Sequence, residues 1–119
     1  MQIKPLAQGL FIIAILLVSW QTLTPKPIET LATHVNDKAG HLLAFAVLFL
    51  LLKEGWQNLS FYTVFFLLLS YGIGIEVCQY FIPNRSFSIA DIVADGLGEL
   101  LGGVLVYLTF NLKKRFIKQ

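Results

Sequence analysis

Apolar residues fall into four long runs, and short polar stretches rich in Pro, Asn and charged residues separate them. The first run covers about 6–23; Lys4 and Lys26 bracket 21 residues that carry no charge. About 20 apolar residues suffice to cross the hydrocarbon core of a bilayer, so this run is expected to span a membrane. A secretory leader is the competing reading, because Lys4 supplies a charged start. Ser19, Trp20 and Gln21 do not form the small-residue cleavage site such a leader needs. Trp20 instead occupies the place of an interfacial aromatic. Thr24, Pro25, Lys26 and Pro27 end the run.

The second span is expected over about 36–53. Its stretch without Asp, Glu, Lys or Arg, 39–52, is 14 residues long, or about 21 Å at 1.5 Å per residue. That is short for a core of ~30 Å. Asp37 and Lys38 are therefore expected on the first turn, where the helix dipole favours Asp37 and Lys38 can snorkel. A polar turn over 53–58 leads to a third span over about 59–82. Pro83, Asn84, Arg85 and Ser86 form the next turn, and Ser86 or Ser88 is a capping candidate for a fourth span over about 89–112. The expected fold is all-α: one domain over 1–119, an integral membrane bundle of four antiparallel transmembrane helices.

Composition supports a lipid surround. Hydrophobic residues make up 56% of the 119 residues and charged residues 13%, against about 45–50% and ~25% in soluble domains, and mean hydropathy is +0.72. A soluble fold this small could not bury so many Phe and Leu side chains. The single Cys78 excludes an internal disulfide or a cysteine-based metal site. The formal charge of +2 is too small to suggest nucleic acid. Its distribution is more informative. Lys4, Lys53, Lys113, Lys114, Arg115 and Lys118 fall on one side of the expected bundle, and Lys26, Lys38 and Arg85 on the other. The positive-inside rule then places both termini in the cytoplasm, and the basic tail reads as a topology anchor that touches anionic lipid.

With that topology the ionisable residues within the spans converge on the outer half. Asp37 and His41 mark the outer end of the second span, Glu76 and Gln79 that of the third, and Asp91, Asp95 and Glu99 descend along the fourth. Asp37 and His41 are spaced i,i+4 and Glu76 and Gln79 i,i+3, so each pair shares a helix face. On the fourth span Asp91, Asp95, Gly98 and Gly102 fall within an arc of about 60°. Small residues at the Gly98/Gly102 spacing admit a neighbouring helix or a second copy of the chain, which puts the acids on the packed face, with Glu99 at its edge. Cys78 points away from the face of Glu76 and Gln79.

Five acids (Asp37, Glu76, Asp91, Asp95 and Glu99) face two nearby cations, Lys38 and Arg85. Each unpaired acid near mid-membrane costs roughly 2.5–3.5 kcal/mol on insertion scales. Proton uptake on the deeper acids or His41, water in an open cavity, or a bound divalent cation would compensate them. For a cation the candidate ligands are Glu76, Asp91 and Asp95, an oxygen set suited to magnesium or calcium.

The pattern Asp37-Lys38-x-x-His41-x-x-x-Phe45, then Glu76-x-x-Gln79-x-x-x-Pro83-x-Arg85 with Asp91, then Gly98-x-x-x-Gly102, resembles the VanZ-like family across about 25–103. One departure is Asp95, at a place where the family pattern is expected to carry Asn. The resemblance implies a small membrane protein of the bacterial cell envelope, in the cytoplasmic (inner) membrane. Such proteins are sometimes linked to teicoplanin-type glycopeptide resistance, and their biochemical activity is not established.

Three functions are open at this level. The first is recognition of a lipid or lipid-linked headgroup in an outward-facing acidic pocket, with Lys38, Gln79, Arg85 and Asp95 as binding residues and membrane lipids or a lipid-linked envelope precursor as partners. The second is a membrane-embedded enzyme acting on a lipid-linked substrate. There the catalytic candidates are His41, oriented by Asp37, together with Glu76 and Asp91; no Ser or Cys nucleophile motif accompanies them. The third is a scaffold in which polar residues only join four helices. Isolated interior histidines and glutamines often do no more than that.

Overall fold

The computed structural model describes the backbone of residues 3–23, 31–82 and 88–117, and side chains within 4–23, 38–82 and 88–112. The described residues form helices α1 (Ile3–Leu23), α2 (Leu31–Gly55), α3 (Phe61–Tyr80) and α4 (Ile89–Ile117), with no strand among them. Two of these, over Lys4–Leu23 and Phe61–Tyr80, are long and apolar enough to cross a membrane. Although α2 and α4 are longer, charged residues interrupt their apolar runs.

The helix ends follow local chemistry. Ser60 caps α3 in an extended conformation, and its Oγ accepts a hydrogen bond from the Thr63 N–H at 3.1 Å. Replacing Ser60 with alanine is expected to cost about 1 kcal/mol, read as a lowered melting temperature of the purified protein. At the other end of α3, the N–H of Phe81 meets the carbonyl of Cys78 at 3.1 Å, just before Pro83. Ser88 caps α4: its Oγ accepts from the Asp91 N–H at 3.2 Å; Ser86, the other candidate, lies outside the described residues.

Two boundaries differ by five residues from the sequence expectation. Helix α4 runs on to Ile117, past the expected end near 112, because Lys113, Lys114 and Arg115 are good helix formers. Helix α2 begins at Leu31, five residues ahead of the expected start, because Leu31 and Ala32 are good helix formers and nothing before Asn36 breaks the run. Asp37 therefore lies in the second turn of α2, not the first.

The helices alternate in direction. Gln8 Nε2 donates to the Gly55 carbonyl at 2.8 Å, so α1 and α2 run antiparallel. Lys38 meets Asp91 and His41 meets Asp95, so α2 and α4 run parallel, side by side. Gly98 makes this approach possible: a Cβ there would collide with the Leu42 carbonyl oxygen, and one at Gly102 would stand 2.7 Å from that of Ala46. The neighbouring helix that this glycine pair admits is thus α2 of the same chain. Helix α1 meets α3 through its C-terminal half. The Tyr71 hydroxyl lies 2.5 Å from Ser19 Oγ and donates to the Ile15 carbonyl at 3.2 Å.

The interior changes character along its length. Phe45, Leu48, Phe49 and Leu52 follow an i, i+3, i+4, i+7 stripe on α2 and pack with Val64, Leu68 and Val106. Farther along the same buried faces, α3 turns to Glu76 and Gln79 and α4 to Asp95 and Glu99. The outside is the reverse: Leu16, Trp20, Tyr62 and Phe66 are each more than half exposed. Carboxylates inward and large apolar groups outward is the opposite of a water-soluble surface, where contiguous apolar patches are small.

Candidate functional site

Three helices bring ionisable side chains to one end of the bundle. His41 comes from α2, Glu76 from the end of α3, and Asp91 and Asp95 from the start of α4. Asp91 and Asp95 share a face because they are one turn apart, and the parallel register of α2 against α4 sets His41 beside both.

The tightest contact is His41 Nδ1 to Asp95 Oδ1, at 2.7 Å. With an ionised Asp95 only the ring can donate, so Nδ1 carries a proton and, in the neutral ring, the lone pair lies on Nε2. That Nε2 lies 4.0 Å from Asp91 Oδ2. Lys38 Nζ meets the other Asp91 oxygen, Oδ1, at 3.3 Å, at the more exposed rim of the cluster. The His41 ring lies parallel to that of Phe45, with 6.5 Å between centroids, so an apolar floor backs the imidazole.

Glu76 is fully buried. One oxygen, Oε2, accepts a hydrogen bond from the Ser88 N–H at 3.1 Å, and Ser88 in turn caps α4. The other, Oε1, has no hydrogen-bond partner among the described residues. Donor atoms of His41, Glu76 and Asp91 lie within 4.8 Å of one another. Deeper along α4, about 12 Å beyond Asp91, Glu99 is fully buried with neither carboxylate oxygen partnered among the described residues.

The expected site residues separate under this geometry. His41, Glu76, Asp91, Asp95 and Lys38 come together. Gln79 turns to another task, donating from Nε2 to the Thr22 carbonyl at 2.6 Å and fastening the end of α1. The packing of α4 on α2 gives His41 a carboxylate partner, Asp95, that the sequence reading did not assign to it. The side chain of Asp37 and all of Arg85 lie outside the described residues. Of the candidate cation ligands, Glu76 and Asp91 gather with His41, and Asp95 is hydrogen-bonded to His41. Cys78 is exposed, away from the buried Glu76 and Gln79.

Two contributors escaped the sequence reading. Ser88 serves Glu76 as well as capping its helix. Gly72 forms the wall behind Asp95: a Cβ there would stand 2.6 Å from Asp95 Oδ2 and 3.3 Å from the Phe45 ring. Its signal was available, since Gly72 precedes Glu76 by one turn on the same face. A separate groove of about 430 Å³ lies toward the other end of the bundle and is wholly different in kind, lined by Phe49, Phe61, Phe65, Leu100, Val104 and Tyr107 among others.

A helical chain with acids between its helices and aliphatic groups around them belongs to the class of membrane proteins. The family can be stated more closely. Residues 8–111 match the VanZ/LLP1 family, and the chain belongs to it. No curated protein and no solved structure matches the chain.

Proposed function

We propose that this chain is a four-span protein of the bacterial cytoplasmic membrane, with both termini in the cytoplasm, whose polar site in the outer leaflet recognises a lipid or lipid-linked headgroup. The observation that carries the reading is the meeting of His41, Glu76, Asp91 and Asp95 from three helices at one end of the bundle. Lys38, and Arg85 in the sequence between α3 and α4, are the groups suited to a headgroup phosphate. The carboxylates and His41 suit an amine or sugar hydroxyls. A scaffold that used acids only as glue would pair them, because an unsatisfied buried polar group costs about 1–3 kcal/mol, and more when charged. Glu76 Oε1 and both Glu99 oxygens lack hydrogen-bond partners among the described residues, which favours a ligand over glue. Glycopeptide resistance is an association of the family that this member would share if the headgroup belongs to a cell-wall precursor.

The reading is tested on lipids retained by the purified protein. Native mass spectrometry is expected to show a phospholipid or lipid-linked precursor bound to the parent. It should be weakened about 10–100-fold in Glu76→Gln and Asp91→Asn, as removal of a charged hydrogen bond predicts. Folded variants that keep the parent's lipid profile would sink the proposal and leave a scaffold. Fusing reporters active on only one side of the membrane to each terminus tests the topology, and a signal from the outer side at either end contradicts it.

The His41–Asp95 pair favours a second reading. A carboxylate-held imidazole is the arrangement of a general base, which would make the protein an enzyme acting on a lipid-linked substrate. Turnover of such a lipid by purified protein, lost in His41→Gln, would establish it.

A further inference from the structure

We infer that His41 Nε2, Glu76 Oε1 and Asp91 Oδ2 bind a divalent transition-metal ion, zinc by the nature of the set, with Asp95 orienting His41 from behind and a fourth coordination position left open. The inference requires this cluster to be a ligand site but does not require that the ligand be a lipid.

Among the described residues, each of the three has one group committed to the protein and one left for an ion. His41 uses Nδ1 on Asp95 and keeps Nε2. Glu76 uses Oε2 on the Ser88 N–H and keeps Oε1, buried and without a hydrogen-bond partner among the described residues. Asp91 uses Oδ1 on Lys38 and keeps Oδ2, on the His41 side at 4.0 Å from Nε2. A carboxylate holding the far nitrogen of a ligating histidine is the usual outer partner of such sites. It fixes both the tautomer and the direction of the free lone pair.

Distance and charge agree with this assignment. Donor atoms of the three residues lie within 4.8 Å of one another. Zinc bonds to nitrogen and oxygen are about 2.0–2.2 Å long, so a closing movement on the order of 1 Å brings the donors round one ion. Among the described residues, Glu76, Asp91 and Asp95 carry three negative charges if ionised, against the ammonium of Lys38 and a neutral His41, and a divalent ion cancels the remaining two. Glu99 lies deeper and outside the set.

The donor chemistry selects the ion. Calcium takes 6–8 oxygen ligands and magnesium holds several waters in an octahedron; one imidazole and two carboxylates suit neither. Zinc accepts both imidazole nitrogen and carboxylate oxygen, and its catalytic sites hold three protein ligands and keep a fourth position open. The vacant position accepts water or an anionic oxygen of an incoming headgroup.

The test uses full-length protein in detergent, stripped with chelator, carrying His34→Gln and Cys78→Ser so that His41 is the sole histidine and no thiol remains. Zinc titration is expected to reach one ion per chain, and cobalt(II) in its place should give the visible absorption of a low-symmetry site with a nitrogen ligand. Zinc should also slow modification of His41 by diethyl pyrocarbonate. Glu76→Gln and Asp91→Asn are each expected to lower zinc affinity at least about tenfold. Asp95→Asn should lower it by about 10–100-fold, as loss of an outer partner does, and shift the cobalt spectrum. Glu99→Gln should change neither. Folded parent protein that takes up no stoichiometric zinc, or that prefers magnesium or calcium, overturns the inference whatever the variants do. So do folded Glu76→Gln and Asp91→Asn proteins that bind zinc as the parent does. Retention of lipid by the chelator-stripped parent is measured alongside. Lipid held without zinc uptake ends this inference and leaves headgroup recognition standing, and zinc uptake without lipid does the reverse.

Discussion

Gly98→Val is expected to leave little folded protein in the membrane. A Cβ at position 98 would run into the Leu42 carbonyl oxygen, which belongs to the rigid backbone of α2 and cannot rotate away. The two helices would have to separate, and Lys38–Asp91 and His41–Asp95 lie on that same interface. Overpacking of this kind costs about 1–3 kcal/mol and occasionally more, and here the upper end applies because the obstacle is main chain. Size-exclusion profile and thermal melting in detergent measure the loss. Gly96→Ala supplies the contrast on the same helix. Its Cβ would meet nothing within 4 Å, so alanine is expected to stabilise α4 by about 0.5–1 kcal/mol. If Gly98→Val melts with the parent, α2 and α4 are not joined as described.

Asp95→Ala is expected to have the second largest effect, and Asp95→Asn a much smaller one on stability. Alanine removes the acceptor 2.7 Å from His41 Nδ1 and leaves that donor unpaired in the interior. The cost is about 1–3 kcal/mol for a neutral donor, rising to about 3–5 kcal/mol if the pair is ionic. Asparagine keeps the shape and an oxygen acceptor, so most of the stability should return. A double replacement of both His41 and Asp95 by leucine removes the polar requirement altogether. It is expected to lose less stability than the single alanine change would suggest, while abolishing any ligand binding. Thermal melting of the four proteins in one detergent checks the series; equal melting of Asp95→Ala and the parent would mean that the pair contributes nothing to the fold.

The number and order of the helices were legible because breakers interrupt long apolar runs: Pro25 and Pro27, the polar stretch 53–58, and Pro83. The start of α2 was not, since Leu31 and Ala32 resemble the residues that follow them. The inward face of α4 could be read from the Gly98/Gly102 spacing, which also placed Asp91 and Asp95 toward a neighbour. Which neighbour, and at what height, depends on how α2 slides along α4, and helical periodicity carries no information about that. Hence the contact of His41 with Asp95 could not be read from the sequence, while the i,i+4 pairing with Asp37 falls on a side chain outside the described residues. Gln79 illustrates the same limit. Its face was legible, but its partner, the Thr22 carbonyl, lies 57 residues away in the chain, where no local pattern reaches.

The wall that Gly72 makes behind Asp95 sets a constraint on how this protein can vary. With Asp95 Oδ2 only 2.6 Å from where a Cβ at position 72 would stand, the space fits a short side chain ending in a planar group. One more methylene, as in Glu or Gln, would not fit without moving Phe45 or α3. Asp and Asn have the same length and differ only in charge. Position 95 is therefore a two-valued setting: exchange between these residues changes the charge beside His41 by one unit while the mould stays the same. The VanZ-like pattern expects Asn at this place and the present chain carries Asp, which would make its imidazole the more electron-rich and the more strongly held of the two.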